Sequence, residues 1–198
     1  DHQRERDYYI DLEFIGKVLL EHSHPSMIYL IGIGNISLKG NKWNFNHFVA
    51  ENLTLCCEKD ILIKYKTWIE SLPHIPRLIH WSSAEPSQLN RAFARHNLIA
   101  PDVEYIDLMH TFIETPITIK GCVNYKLKNI TKALHQLGLI KQNYDNSDCA
   151  NGAESMIMCL KHYGFYGDNI DFEVSMMKLI IDYNEIDCRV LQEIHELF

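Results

Sequence analysis

Two apolar segments rich in aromatic and β-branched residues lie near the start of the chain, at 8–15 (YYIDLEFI) and 27–36 (MIYLIGIGNI). Such segments are typical of β-strands with at least one buried face. A third segment of strand type, KWNFNHF at 42–48, follows after a short turn. Three strands joined by short connections predict an antiparallel meander, because parallel neighbours need a long crossover. The first quarter of the chain is therefore constrained to form a β-sheet.

After the meander, helical and strand-like patterns alternate. Residues 50–72 repeat apolar side chains at steps of three and four, which predicts a helix. The remaining predicted elements are strands at 77–82 and 103–108 and helices at 86–95, 125–137, 152–162 and 171–197. This order predicts an α/β fold, a mixed five-stranded sheet flanked by helices. No repeat or linker interrupts residues 1–198, so a single domain is the simplest organisation.

Composition narrows the class of protein but leaves its function open. No apolar run approaches the roughly 20 residues of a membrane span, so we expect no membrane partner. The six cysteines form no C-x-x-C pair, which favours free thiols and a reducing, intracellular compartment. The net charge of −7 argues against bulk electrostatic coating of nucleic acid, although a nuclease with an acidic metal site is compatible with it. With neither an initiator Met nor a signal peptide, we expect a fragment of a longer protein.

Asp11 and Glu13 interrupt an otherwise apolar strand two positions apart, so both side chains leave the same face. Two carboxylates on one strand can hold hard divalent cations, which prefer oxygen ligands. Asp-x-Glu occurs twice more, at Asp102–Glu104 and Asp171–Glu173, so its position distinguishes the first copy. An edge strand with a solvated face is the alternative interpretation.

The last predicted helix carries an acidic residue on its apolar stripe. Asp187 lies four residues after Tyr183 and shares a face with Phe172, Met176, Ile180, Val190 and Ile194. A buried carboxylate is costly without a partner, and either a metal ion or a buried Arg would supply one. Tyr183 is then placed to orient a water molecule or a phosphate oxygen. A second Tyr-x-x-x-Asp, Tyr144–Asp148, lies in a polar loop and is given no role.

Glu85 is the candidate for a further acidic position, where the fourth strand gives way to a helix in IHWSSAEPSQL. Ser82, three residues earlier, and Pro86, directly after, also fit the pattern of a helix N-terminus with a capping box. A helix cap is therefore the competing interpretation of Glu85.

These motifs resemble those of the DEDD superfamily, the DnaQ-like 3′–5′ exonucleases with a ribonuclease-H-like fold, and are most similar to its YprB-like, or RNase_H_2, branch. Asp11-Leu12-Glu13 matches the first motif, and Tyr183-Asn184-Glu185-Ile186-Asp187 matches the last. The segment Tyr125-Lys126-Leu127-Lys128 is similar to one that this branch carries before a helix. The middle motif commonly has Asp where this chain has Glu85, and Asp107 is the competitor for that role. The resemblance spans residues 8–197.

The resemblance implies a 3′–5′ exonuclease that uses two Mg²⁺ or Mn²⁺ ions held by Asp11, Glu13, Glu85 and Asp187, with Tyr183 orienting the attacking water. It implies nucleic-acid ends as substrate, with single strands favoured and DNA slightly preferred to RNA. Fusion to, or association with, a helicase or polymerase is also expected. Trp81 and Phe14 are candidates to stack a terminal base, although a core role is favoured for both.

The alternative is the same fold without catalysis, a module that binds nucleic acid or a partner protein through a degenerate metal site. Glu85 in place of Asp and the acidic net charge favour it, whereas the intact Asp11, Glu13 and Asp187 favour the enzyme.

Overall fold

A five-stranded sheet lies at the centre of the computed structural model, which describes residues 4–16, 26–37, 40–145, 147–149, 151–165 and 175–198. Its strands are β1 (Asp7–Ile15), β2 (Met27–Ser37), β3 (Lys42–Val49), β4 (Arg77–His80) and β5 (Glu104–Asp107). Their spatial order is β3-β2-β1-β4-β5. The first three strands pair antiparallel, whereas β4 is parallel to both β1 and β5. The predicted mixed α/β sheet is confirmed.

The helices flanking the sheet are α1 (Leu55–Glu70), α2 (Ala84–Arg95), α3 (Leu108–Glu114), α4 (Leu127–Gln136), α5 (Gly152–His162) and α6 (Met176–His195). The short helix α3 was missed by the periodicity pattern. Its N-cap is Asp107, whose side chain accepts a hydrogen bond from the backbone N–H of His110. The last helix begins at Met176 instead of the predicted 171, and positions 171–174 lie outside the described residues.

The alternation of side chains along β1 assigns its two faces to different parts of the core. Tyr8, Ile10 and Leu12 belong to a cluster that includes buried residues of α1 and α2. Tyr9 belongs to a second cluster, which includes buried residues of α6. Asp11 and Glu13 alternate in step with Tyr9, so they leave the strand toward α6, which packs across β1 and β2.

Within the described ranges no helix is both long and apolar enough to cross a bilayer. All six cysteines lie in those ranges and are free thiols.

Candidate metal centre

Three carboxylates from β1 and α6 meet on one face of the sheet. Asp11, Glu13 and Asp187 each offer one oxygen, and these oxygens lie within 4.8 Å of one another. Glu13 and Asp187 are buried and Asp11 is half-buried. The spacing of Asp11 and Glu13 on a strand aims both at α6, and the apolar stripe of α6 carries Asp187 inward. The local periodicities of β1 and α6, which are far apart in sequence, therefore both direct their acidic side chains into one cluster.

Burial makes this cluster costly without a counter-charge. Burial raises the pKa of Asp11 well above its usual range, and the negative charges of neighbouring carboxylates raise it further. The pKa of Glu13 and that of Asp187 are also raised, first by burial. Like charges within a few ångströms cannot all ionise in a poorly hydrated site unless a cation joins them.

Glu13 is held in place by groups from two other elements. The hydroxyl of Ser155, on α5, donates a hydrogen bond of 2.8 Å to Glu13 Oε2. The hydroxyl of Tyr29, on β2, lies 3.5 Å from the same oxygen and 2.6 Å from Ser155 Oγ. Both hydrogen bonds lower the pKa of Glu13 and thus partly oppose the effect of burial. The Glu13 side chain is therefore fixed by the fold.

Two tyrosines and a lysine surround Asp187. The Tyr144 hydroxyl donates a hydrogen bond to Asp187 Oδ1, and the Tyr183 hydroxyl also lowers the pKa of this carboxyl by hydrogen bonding. The ammonium group of Lys128, on α4, lies 4.5 Å from the ring centroid of Tyr183 and 4.7 Å from that of Tyr144. Its positive charge lowers the pKa of both Glu13 and Asp187. The site thus has a basic group at its border.

Glu85 lies beside the three-carboxylate cluster without belonging to the 4.8 Å group. It is buried, and its Oε2 has no hydrogen-bond partner in the part of the chain that the structure describes. Burial raises the pKa of Glu85 to about 8, and the charges of Asp107 and Asp187 act in the same direction. His80 Nδ1 is 3.7 Å from Glu85 Oε2, but burial lowers the pKa of His80 and so disfavours the charged form of this imidazole.

Glu85 is predicted to be either a helix cap or a further acidic residue of the site, and the structure distinguishes these two interpretations. Helix α2 begins at Ala84 after Ser83, and no side-chain hydrogen bond caps it, so the capping box with Ser82 is not formed. Asp107, the alternative acidic residue, accepts hydrogen bonds from the backbone N–H groups of Ser82 and His110. Asp107 is thus engaged in holding the backbone, whereas Glu85 has an unpartnered oxygen.

The donor set fits a divalent cation of the Mg²⁺ or Mn²⁺ type, because such ions prefer carboxylate oxygens. Glu58 shows how the fold treats a buried acid that has a structural role. It is fully buried, and Arg95, His96 and the backbone N–H of Ile28 donate hydrogen bonds to it. Among the described residues, no arginine hydrogen-bonds to the acidic cluster in a comparable way, and the unpartnered Glu85 oxygen indicates acceptor capacity left for a ligand.

Several residues around the site were not identified from sequence. The sequence pattern indicates no role for Tyr144, yet Tyr144 contacts Asp187, whereas Asp148 of the same motif is exposed. Ser155 could have been found by the signal that identified Asp187, a polar residue on the buried side of a helix.

Trp81, one of the two aromatic candidates for base stacking, is buried. It donates a hydrogen bond to the carbonyl of Tyr125 and packs edge-on against Phe112, so it belongs to the core.

Phe14, the other aromatic candidate for base stacking, is partly buried and packs against the core cluster that includes α1 and α2. A core role therefore accounts for it, as the sequence favoured.

Comparison with known proteins identifies one family. The family model RNase_H_2, of the RNase_H superfamily, matches residues 8–198. No curated protein matches the chain. Nucleases with an RNase H-like fold usually use divalent metal ions, and the acidic cluster of this chain could bind one. With its mixed sheet, its acidic cluster and a match over nearly its whole length, the chain belongs to the RNase_H_2 family of the RNase H superfamily, which suggests a nuclease.

Proposed function

We propose that this chain is a 3′–5′ exonuclease that hydrolyses terminal phosphodiester bonds of nucleic acid with divalent metal ions. The observation that carries the proposal is the convergence of Asp11, Glu13 and Asp187, whose ligand oxygens lie within 4.8 Å of one another in a largely buried site. A cluster of this kind is unfavourable in a metal-free protein, because buried carboxylates repel one another. Bound metal ions would offset that repulsion, which supports a metal-dependent activity.

Within this proposal, Asp11, Glu13, Asp187 and Glu85 hold two Mg²⁺ or Mn²⁺ ions. Bound ions of this kind supply Lewis acidity and neutralise the charge that develops on a phosphodiester under attack. Glu85 joins the set through the oxygen that lacks a partner among the described residues. Its side chain is one methylene longer than that of Asp, which would extend its reach from the start of α2 toward a bound ion.

The aromatic and basic border of the site is proposed to receive the substrate. Lys128 lies over the rings of Tyr144 and Tyr183 and is close enough to affect the pKa of two site carboxylates. A phosphate oxygen bound beside the acidic cluster would therefore have an ammonium group close by. Tyr183 is assigned to orient the attacking water or a phosphate oxygen from its position one helical turn before Asp187.

A single set of digests tests the activity, its polarity and its end dependence. We expect Mn²⁺-dependent shortening of a linear, 5′-labelled single strand from its 3′ end, with DNA favoured over RNA and duplex digested more slowly. A circular single strand of the same sequence should stay intact. Cleavage of the circle would instead indicate an endonuclease. Activity that survives EDTA, or that persists unchanged in an Asp11→Asn variant, would exclude the proposed metal centre.

The alternative function is a module of the same fold that binds nucleic acid or a partner protein without catalysis. The Glu85 substitution at the middle motif is the feature that favours it. Titration calorimetry with Mn²⁺ separates the two functions, because a degenerate site binds weakly or not at all. Binding of single-stranded oligonucleotide without Mn²⁺ binding or cleavage would support the module.

A further inference from the structure

Asn184 is a polar side chain buried where α6 crosses the sheet. It is completely buried, and its Nδ2 donates a hydrogen bond of 2.6 Å to Asp11 Oδ2. Its own Oδ1 is buried and has no hydrogen-bond partner within the described ranges. Burying an amide oxygen without a donor costs on the order of 1–3 kcal/mol. An apolar residue would avoid that cost, so packing alone does not explain an amide at this position.

Strand β2 leaves room for Asn184 by having no side chain opposite Asp11. Gly32 pairs with Asp11 across the β1–β2 ladder. A Cβ at Gly32 would lie 1.6 Å from Asn184 Oδ1 and 2.8 Å from its Cγ, so no other residue fits there while Asn184 keeps its position. Gly32 is not among the glycines with positive φ. Glycine is therefore required here for space and not for backbone conformation.

We propose that Asn184 is a positioning residue that orients the Asp11 carboxylate for metal binding, and that Gly32 is glycine in order to admit it. The inference rests on the proposed metal-dependent function. An amide donor on one oxygen of Asp11 restricts rotation of the carboxylate, and the carboxylate's remaining lone pairs stay available to a cation. Donation requires the amide nitrogen to face Asp11, which leaves the amide oxygen against Gly32 without a donor. The unpartnered oxygen is thus a consequence of the hydrogen bond to Asp11.

Titration calorimetry with Mn²⁺ alone tests this role without relying on turnover. Removing a group that orients a metal ligand typically weakens metal affinity by about 10–100-fold. We expect Asn184→Ala to weaken Mn²⁺ affinity by that factor, while its melting temperature in EDTA stays close to that of the wild type. Gly32→Ala, which leaves Asn184 chemically intact but displaces it, should produce a similar loss.

A double-mutant cycle separates this coupling from general damage to the strand. If Gly32→Ala acts through Asn184, the double variant should bind Mn²⁺ no more weakly than Asn184→Ala alone. Gly34→Ala is the matched control on the same strand, because a Cβ there would meet the ring of Trp43 at 2.1 Å instead of the site. It should keep wild-type Mn²⁺ affinity.

The outcomes distinguish failure of this inference from failure of the proposed function. Absence of Mn²⁺ binding by the wild type overturns both. Wild-type binding that Asn184→Ala leaves within about twofold overturns the positioning role alone. Additive losses from Gly32→Ala and Asn184→Ala would do the same, because independent effects require no contact between the two residues. If Asn184→Ala does not fold, Gly32→Ala against Gly34→Ala still decides the question.

Discussion

At the scale of single residues, the acidic side chains of the site differ in how their oxygens are satisfied. Glu13 has hydroxyl donors, Asp187 has tyrosine donors, and Asp11 accepts from the side-chain amide of Asn184 and the backbone N–H of Leu12. Glu85 Oε2 has no partner in the described part of the chain. Each of these residues therefore responds differently to loss of its charge, which makes substitution informative.

Asp11→Asn is expected to abolish cleavage, with a fall in turnover of at least about 100-fold, and to leave folding intact. Asn keeps the size of the side chain but removes a negative charge that a metal ion needs. Turnover with Mn²⁺ and a melt in EDTA measure the two effects. The matched control is Asp102→Asn, taken from the exposed Asp102–Glu104 copy of the motif, which should change neither quantity. Wild-type turnover by Asp11→Asn would remove this strand from the site.

Glu85→Gln separates a ligand from a helix cap. A cap contributes about 1 kcal/mol of stability, most of which an amide retains, whereas a metal ligand loses affinity and nearly all turnover when its charge is removed. We expect the second result, measured by Mn²⁺ calorimetry and cleavage. Asp107→Asn is the control, because Asp107 accepts from two backbone N–H groups and should affect stability more than Mn²⁺ affinity. Normal cleavage by Glu85→Gln combined with loss of cleavage in Asp107→Asn would reverse the two roles.

At the scale of elements, two helices place charged side chains at the site. The buried stripe of α6 carries Asp187, and α4 carries Lys128. Met176, Ile180 and Asp187 are all buried on α6, so the proposed metal ligand Asp187 is anchored by hydrophobic packing of the same helix. Lys128 lies in the first turn of α4, a helix with Ile130 and Leu134 in the core cluster shared with α6. Both charges are therefore positioned by rigid helices.

Asp187→Asn tests the contribution of α6 through thermal stability. In EDTA the variant should melt at or above the wild type, because an asparagine relieves repulsion within the acidic cluster. A ligand at 100-fold excess over its dissociation constant stabilises the native state by about 2.7 kcal/mol, or about 5–11 °C for a chain of this size. The variant should lose most of that Mn²⁺ shift. The control is Asp182→Asn on the same helix, where an exposed Asp182 pairs with Lys178. A lower melt in EDTA with a full Mn²⁺ shift would mean that Asp187 has a structural role.

Lys128→Met tests whether α4 contributes a phosphate contact. A single lysine–phosphate contact on a single strand contributes about 0.7 to the slope of log affinity against log salt concentration. We therefore expect weaker oligonucleotide binding and a slope smaller by about 0.7, measured by fluorescence anisotropy in Ca²⁺ over a salt series. Lys132→Met, one turn along the same helix and exposed, is the control and should leave the slope unchanged. An unaltered slope in Lys128→Met would exclude the contact.

At the scale of the whole molecule, the buried acids make the metal-free protein sensitive to pH. Burial raises the pKa of Glu85 to about 8 and that of Glu13 also well above its usual range. A carboxyl with a raised folded-state pKa binds its proton more tightly when folded. Its stabilising contribution to the free energy of unfolding is therefore fully present below the pKa of the unfolded state. That contribution is lost as pH rises through the pKa of the folded state. His80 and His195, whose pKa values are lowered by burial, act in the opposite direction, but chiefly below their usual pKa of 6.5.

Between pH 6.5 and 7.5 the free energy of unfolding in EDTA should therefore fall, by up to about 1.4 kcal/mol for each carboxyl that is protonated only in the folded state. Urea unfolding at the two pH values measures this change. Glu85→Gln removes one such carboxyl and should flatten the dependence, and saturating Mn²⁺ should abolish or reverse it. A free energy of unfolding that is constant or rises with pH in EDTA would contradict the electrostatics assigned to the site.

The sequence alone determined the order of strands and helices, the common face of Asp11 and Glu13, and the inward position of Asp187. These features follow from local periodicity, which is two residues per repeat in a strand and 3.6 in a helix. Residues close together in sequence are enough to reveal it. Helix α3 was not predicted because its 7 residues are too few to repeat an apolar stripe, although Leu108 and Phe112 are both buried.

Only the tertiary structure decided which groups hold the acids in place. Ser155 meets Glu13 across 142 positions of sequence, and Asn184 meets Asp11 across 173. Tyr144 reaches Asp187 from a loop whose sequence has no helical or strand period. Such contacts depend on how elements pack, and the pattern of residues within one element contains no information about its partner across the sheet. The same holds for Gly32, which is required by a side chain on α6 and not by its own strand.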